Sequence, residues 1–131
     1  MSMSTADLWP EDIAGQPVRT PVQILREQAV LLGQKTKNVV EGRVEQSGRS
    51  PYDDKFHHAF YIKAPILRYQ YRLFTIDHDI NLYPLRLIRD NDEPPIEAAN
   101  ADEFQEALRA VFSSEDTRRV VQNLVAQSLD H

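Results

Sequence analysis

The sequence predicts a single α+β domain, with helices packed against a four-stranded antiparallel sheet in the order α-β-β-β-β-α-α. Three observations lead to it. A capped helical pattern opens at Thr20, four stretches of two-residue hydrophobic alternation follow, and two helical patterns close the chain. No helix-length segment separates any two of the strands, so consecutive antiparallel pairing is the economical topology. A chain of 131 residues is one domain's worth of polypeptide.

Residues 1–19 carry Pro10, Gly15 and Pro17 and no sustained periodicity. They are expected to form a flexible N-terminal arm in which Trp9 is the residue suited to docking, with the domain proper spanning 20–131. Thr20-Pro21-Val22-Gln23 then opens a helix. Threonine caps, proline suits the first helical position, and glutamine three residues after the cap completes a capping box. Val22, Leu25, Ala29 and Leu32 recur at three- and four-residue steps, and Ile24 and Leu31 widen the apolar stripe. Lys35 and Lys37 complement the helix dipole, and Asn38 suits a stop.

Val39 to Gln46 alternates, with Val40, Gly42 and Val44 against Glu41, Arg43 and Glu45. Ser47 to Asp54 (SGRSPYDD) is dense in turn formers and reads as a loop. Lys55 to Ala64 alternates again and stops at Pro65. Tyr69 to Asp79 and Leu82 to Arg89 complete the set, joined by a short turn at Ile80-Asn81. Asp90 to Ala99, with four acids and two adjacent prolines, reads as a loop. Asn100 caps the next helix with Glu103 at its third position, and Phe104, Ala107, Leu108, Val111 and Phe112 form its apolar stripe. Ser113-Ser114 restarts the chain into a last helix whose inner stripe is Thr117, Val120, Val121, Leu124, Val125 and Ser128.

These turns fix a register. The turn at Ile80-Asn81 sets Thr75 beside Leu85 and Leu73 beside Leu87, and the break at Pro65 sets Phe60 beside Leu73 and Ile62 beside Tyr71. Phe56, Phe60, Ile62, Tyr71, Leu73, Leu85 and Leu87 then share the core face. The opposite face is expected to show His57, Tyr61, Lys63, Gln70, Arg72, Phe74, Ile76, His78, Arg86 and Ile88. Phe74, Ile76 and Ile88 are too apolar to face solvent, so either one of the chain's own helices or a second copy must cover them.

Charge and composition exclude several function classes. The net charge is −5, distributed as −2 over residues 1–54, +4 over 55–89 and −7 over 90–131. A general nucleic-acid binder would be basic overall, so nucleic acid is not an expected partner. The absence of cysteine removes disulfides, thiolate metal sites and cysteine nucleophiles. No apolar stretch approaches the roughly 20 residues a membrane helix needs, and the first twenty residues contain no apolar run fit for a signal peptide. A cytoplasmic protein without membrane contact is the expectation.

The best catalytic candidates are His57, His58, Asp77, His78 and Asp79. Two histidines and a carboxylate that converge would hold a metal or act as an acid–base pair. In the register above His57 and His78 share a face, with Glu41 or Glu45 the only acids in reach as a third ligand. Adjacent His57 and His58 point oppositely in a strand and cannot share one ion. The acid and acid-x-lysine pair of a restriction-type nuclease core is missing, since Tyr61-Ile62-Lys63 lacks the acid and Asp77-His78-Asp79 lacks the lysine. Phosphate-cradling glycine loops and nucleophile elbows are also missing. Arg68, Arg72, Arg86 and Arg89 are expected to pair with the acidic C-terminal third.

The expectation is therefore a non-catalytic binding or interaction module, homodimeric or bound to another protein, with no cofactor. Tyr61, Arg72, Phe74, Ile76 and Ile88 are expected to carry the contact. Two alternatives stand beside it: a metal-assisted hydrolase using His57 and His78, and an acidic accessory protein, of inhibitor or chaperone type, that engages a basic partner.

Overall fold

Thr20 starts the first helix, α1 (Pro21–Lys35), in a computed structural model that describes residues 5–47 and 54–131. Its Oγ1 accepts from Gln23 N at 3.1 Å while Gln23 Oε1 accepts from Thr20 N at 3.0 Å, the reciprocal capping box that the sequence announces. Beyond the helix, Lys37 and Asn38 take left-handed φ angles of 53° and 66°, which reverse the chain. Thr36 Oγ1 then donates to Val40 O at 2.7 Å and accepts from Val40 N at 3.2 Å, tying the helix end to the first strand.

The strands are β1 (Glu41–Gln46), β2 (Phe56–Ala64), β3 (Tyr69–His78), β4 (Leu85–Arg89) and β5 (Ile96–Ala98). They form one antiparallel meander in the order β1-β2-β3-β4-β5. The expected four strands are present, and β5 is a fifth, set inside the stretch expected to be loop. Ile96 pairs with Leu87 and Ala98 with Leu85. Three residues after a double proline are too few to display a period, so only the pairing reveals it. The loop expected between β1 and β2 lies outside the described residues except at its two ends.

Two helices close the domain, α2 (Ala101–Ser113) and α3 (Glu115–Asp130). Asn100 Oδ1 accepts from Glu103 N at 2.9 Å, and Glu103 Oε1 accepts from Ala99 N at 3.0 Å. Ser114 joins the two helices: its Oγ donates to Val111 O at 2.8 Å and accepts from Thr117 N at 3.3 Å. The chain is thus an α+β domain in the order α-β-β-β-β-β-α-α.

Register is where structure and expectation part. Next to the Pro65 break, Ile62 faces Tyr71 as expected. Then β3 bulges: Tyr61 faces Arg72 but Phe60 faces Phe74, leaving Leu73 as an extra residue. One extra residue inverts the parity of everything after it in β3. Phe74, Ile76 and His78 therefore turn inward, not outward as expected. A second odd shift follows. The β3–β4 connection runs from Asp79 to Pro84 instead of a two-residue turn, and Ile76 meets Leu87 while His78 meets Leu85. Pro84 has no N–H to give a ladder, which sets Leu85 as the first strand residue. The two shifts cancel, so Leu85 and Leu87 are buried in the core as the sequence indicates.

The inner face is the core. Phe60 and Phe74 stack with ring centroids 5.3 Å apart, and Phe112 of α2 leans on both at 5.5 and 6.0 Å. Ile24 and Leu25 from α1, Phe104, Leu108 and Val111 from α2, and Leu124 from α3 complete it. Both Phe74 and Ile76 are 0% exposed, covered by the chain's own helices. The expected use of these two residues as contact surface is overturned by that burial. Tyr61, Arg72 and Ile88 do lie on the face turned away from the helices.

Two stability outcomes follow. A Cβ on Gly42 would stand 2.6 Å from Ala29 Cα in α1 and 2.9 Å from Phe60 Cζ, so Gly42→Ala is expected to cost about 1–3 kcal/mol in a urea titration, the range for overpacking. Phe74→Ala is expected to cost about 3–5 kcal/mol in the same titration. A Phe74→Ala loss near zero would place that ring outside the core.

Candidate functional site

The histidines do not meet as a pair on one face. His78, on the inner face, stacks against Phe56 at 5.4 Å and His58 at 5.6 Å. Its Nδ1 lies 2.7 Å from Asp79 O, and since a carbonyl only accepts, Nδ1 carries the proton. His57 sits on the outer face, its Nδ1 3.6 Å from Asp77 Oδ1. The Leu73 bulge is the reason: it separates His57 and His78 onto opposite sides of the sheet. Among the described residues no group of three or more His, Asp or Glu side chains converges as a metal site. The expected convergence of His57 and His78 on one face is therefore overturned.

The outer face shows something the sequence did not suggest. Ser47 N donates to His57 O at 3.0 Å, His57 is opposite Asp77, and Asp77 is opposite Arg86. Serine, histidine and carboxylate thus stand in one cross-strand row, the order of a hydrolytic triad. Among the described residues the geometry lacks the rest of that machinery. At 3.6 Å the His57–Asp77 contact is an ion-pair distance, outside hydrogen-bond range. The other carboxylate oxygen of Asp77 accepts from Arg86 Nη2 at 3.2 Å. The row lies on the flat of a sheet, whose backbone N–H groups are spent in the ladder and not aimed at an oxyanion. Its chemistry is neutralisation: Asp77 is only 6% exposed, and a buried carboxylate needs its cation.

The other arginines of this face are also paired with acids. Arg72 Nε and Nη2 bind Asp90 at 2.9 and 3.1 Å, a two-pronged contact that pushes the guanidinium pKa further up, through the hydrogen bond first and then the charge. Arg43 pairs with Glu45 at 2.8 Å. Arg72 and Arg89 do reach the acidic C-terminal third, at Asp90 and Glu93, whereas Arg86 turns to Asp77.

The concave feature lies on the helical side. A cleft of about 290 Å³ opens between α1 and the α2–α3 junction. Its floor is Phe60, Ile62 and Leu73, and its walls are Leu31 and Leu32 from α1, Phe112 from α2 and Val121 from α3. Thr117 also lines it, but its hydroxyl is spent on Val111 O at 2.7 Å. The rim is polar, with Gln28 and Lys35 on one side and Arg118 and Gln122 on the other. No acid lines the cleft, and among the described residues neither Lys35 nor Arg118 is in an ion pair. The cleft therefore suits an apolar group carried beside negative charge. Its volume is near the lower bound of ordinary ligand pockets, room for one large side chain or a small ring system. A broader, shallower depression between β3 and α3, lined by Leu67, Tyr69, Tyr71, Val120 and Leu124, has no charged residue on it.

No protein-family model, curated protein or solved structure matches the chain. The site must be read from its own chemistry.

Sequence reasoning missed the cleft, although a signal was present. Leu31 widens the apolar stripe of α1 past what a two-layer packing buries, and it remains 42% exposed. Leu73 was assigned to the core face correctly, yet its bulged position opens space beside it. No periodicity marks Lys35 and Arg118, which come together only through tertiary packing.

Partly buried His58 carries a pH dependence. His58 has its pKa lowered from 6.5, chiefly by burial and then by His78, Arg26 and His57. The unfolded chain therefore takes up the proton first as pH falls. Stability associated with His58 is expected to be present above pH 6.5 and lost as pH falls through the lowered folded value. Urea midpoints measured across this window should fall less steeply in His58→Gln than in the parent chain.

Proposed function

We propose that the chain is a non-catalytic binding module whose receptor site is the cleft between α1 and the α2–α3 junction. The observation that carries this reading is an apolar floor framed by two cations, Lys35 and Arg118, that have no ion-pair partner among the described residues. Burying one aromatic or branched side chain there is worth about 1.5–3 kcal/mol, and flanking acids add specificity and encounter rate more than affinity. The occupant of best fit is a short acidic protein segment with large apolar side chains. The outer sheet face, whose arginines Arg43, Arg72 and Arg86 are each paired with an acid, has no comparable apolar recess beside unpaired cations. No helix among the described residues is long and apolar enough to cross a membrane, and a chain without cysteine suits a reducing compartment such as the cytoplasm.

Anilinonaphthalene sulfonate, an apolar ring system bearing one negative charge, tests the site directly. One dye is expected to bind per chain at low protein concentration. Leu31→Asp, at a half-exposed position of α1, is expected to abolish binding, and Lys35→Glu with Arg118→Glu to weaken it about tenfold. Equal binding by parent and variants would contradict the assignment.

A further inference from the structure

We propose that the cleft is filled by the N-terminal arm of a second copy of this chain, giving a reciprocally arm-exchanged dimer; this rests on the cleft being a receptor. The arm carries the complementary chemistry. Over Asp7–Ile13 (DLWPEDI) it presents Leu8, Trp9 and Ile13, which are 91%, 71% and 60% exposed. Such side chains are rarely left together in water without a destination. Asp7, Glu11 and Asp12 flank them, and no cation occurs in the arm before Arg19. Acid-flanked apolar anchors on the arm thus answer a cation-flanked apolar cleft on the domain.

The arm is also shaped before it docks. Trp9 N donates to Asp7 Oδ1 at 3.0 Å, Ile13 N to Pro10 O at 3.1 Å and Gly15 N to Asp12 O at 2.8 Å, with Gly15 at φ 65°. These local bonds reduce the ordering cost of binding. At its root Arg19 clasps Glu27 in α1 at 2.6 and 2.9 Å, so the arm leaves from the start of α1, whereas the cleft faces the later residues Gln28 to Lys35. In the single chain Trp9 and the cleft both remain uncovered. A two-fold exchange covers two arms and two clefts at once, the self-complementary contact that closed dimers use.

Trp9 is the only tryptophan, so the intact protein reports on its own arm. Exchange predicts an emission maximum that moves to shorter wavelength as protein concentration rises, together with a doubling of mass in sedimentation and release of bound anilinonaphthalene sulfonate. Trp9→Ala is expected to weaken the dimer at least about thirtyfold. Leu31→Asp is expected to hold Trp9 in solvent at every concentration while circular dichroism stays native. Raising salt is expected to weaken the dimer by a few-fold, through screening of the flanking charges. Emission already blue in a species of monomer mass at every concentration would mean that the arm fills its own chain's cleft, overturning the exchange. Solvent-like emission throughout, with the dye still bound, would overturn the exchange and leave the receptor reading standing. Loss of both signals would overturn both.

Discussion

The fold depends on one extra residue in β3. Leu73 bulges opposite Phe60, and the consequence is that Leu73 and Phe74 both serve the inner face where regular alternation would send one of them out. The Phe60–Phe74 stack exists because of this, and Phe112 closes on that stack to seat α2 over the sheet. Remove the bulge and His78, Ile76 and Phe74 exchange faces with Asp77 and Thr75. A buried aromatic cluster would become a solvent-exposed one, and the acid that Arg86 neutralises would enter the core.

The same irregularity shapes the site. Helices on one face and paired charges on the other make the two sides of the sheet chemically distinct. The outer side carries the ion pairs Arg72–Asp90, Arg43–Glu45 and His57–Asp77–Arg86. On the inner side α1 is drawn close over β1, where Gly42 lets Ala29 approach. Around Leu73, between α1 and the start of α3, packing is incomplete, and the gap is the cleft. The feature most available for recognition is thus a by-product of how the core is closed.

Much of this was legible from residues alone. The Thr20 and Asn100 caps, the restart at Ser114, the presence of the first four strands and the core roles of Phe60, Ile62, Leu85 and Leu87 all follow from local chemistry or period. What failed was parity after position 73, because nothing about Leu73 as a residue type distinguishes a bulge from a regular position. The Asp79–Pro84 connection was read as a two-residue turn at Ile80-Asn81, and its odd length hid the first error by restoring β4 to phase. The contact surface assigned to Phe74 and Ile76 fell with that parity, as did the pairing of His57 with His78. Arm and cleft illustrate the other limit: Trp9 could be singled out as a docking residue, but the cleft proposed to receive it is assembled from three helices and the sheet.

The proposed recognition follows one physical rule, that exposed apolar anchors beside acids seek an apolar recess beside cations. The absence of cysteine makes its most direct test clean, since Ala6→Cys provides a unique attachment point for a spin label at the arm. Labelled chains without isotope are mixed with unlabelled chains enriched in a nitrogen isotope, and amide signals are compared before and after reduction of the label. The account predicts selective broadening at Leu31, Leu73 and Val121 of the enriched chain. Broadening that is absent there, or confined to the outer-face residues Tyr61 and Arg72, would contradict it.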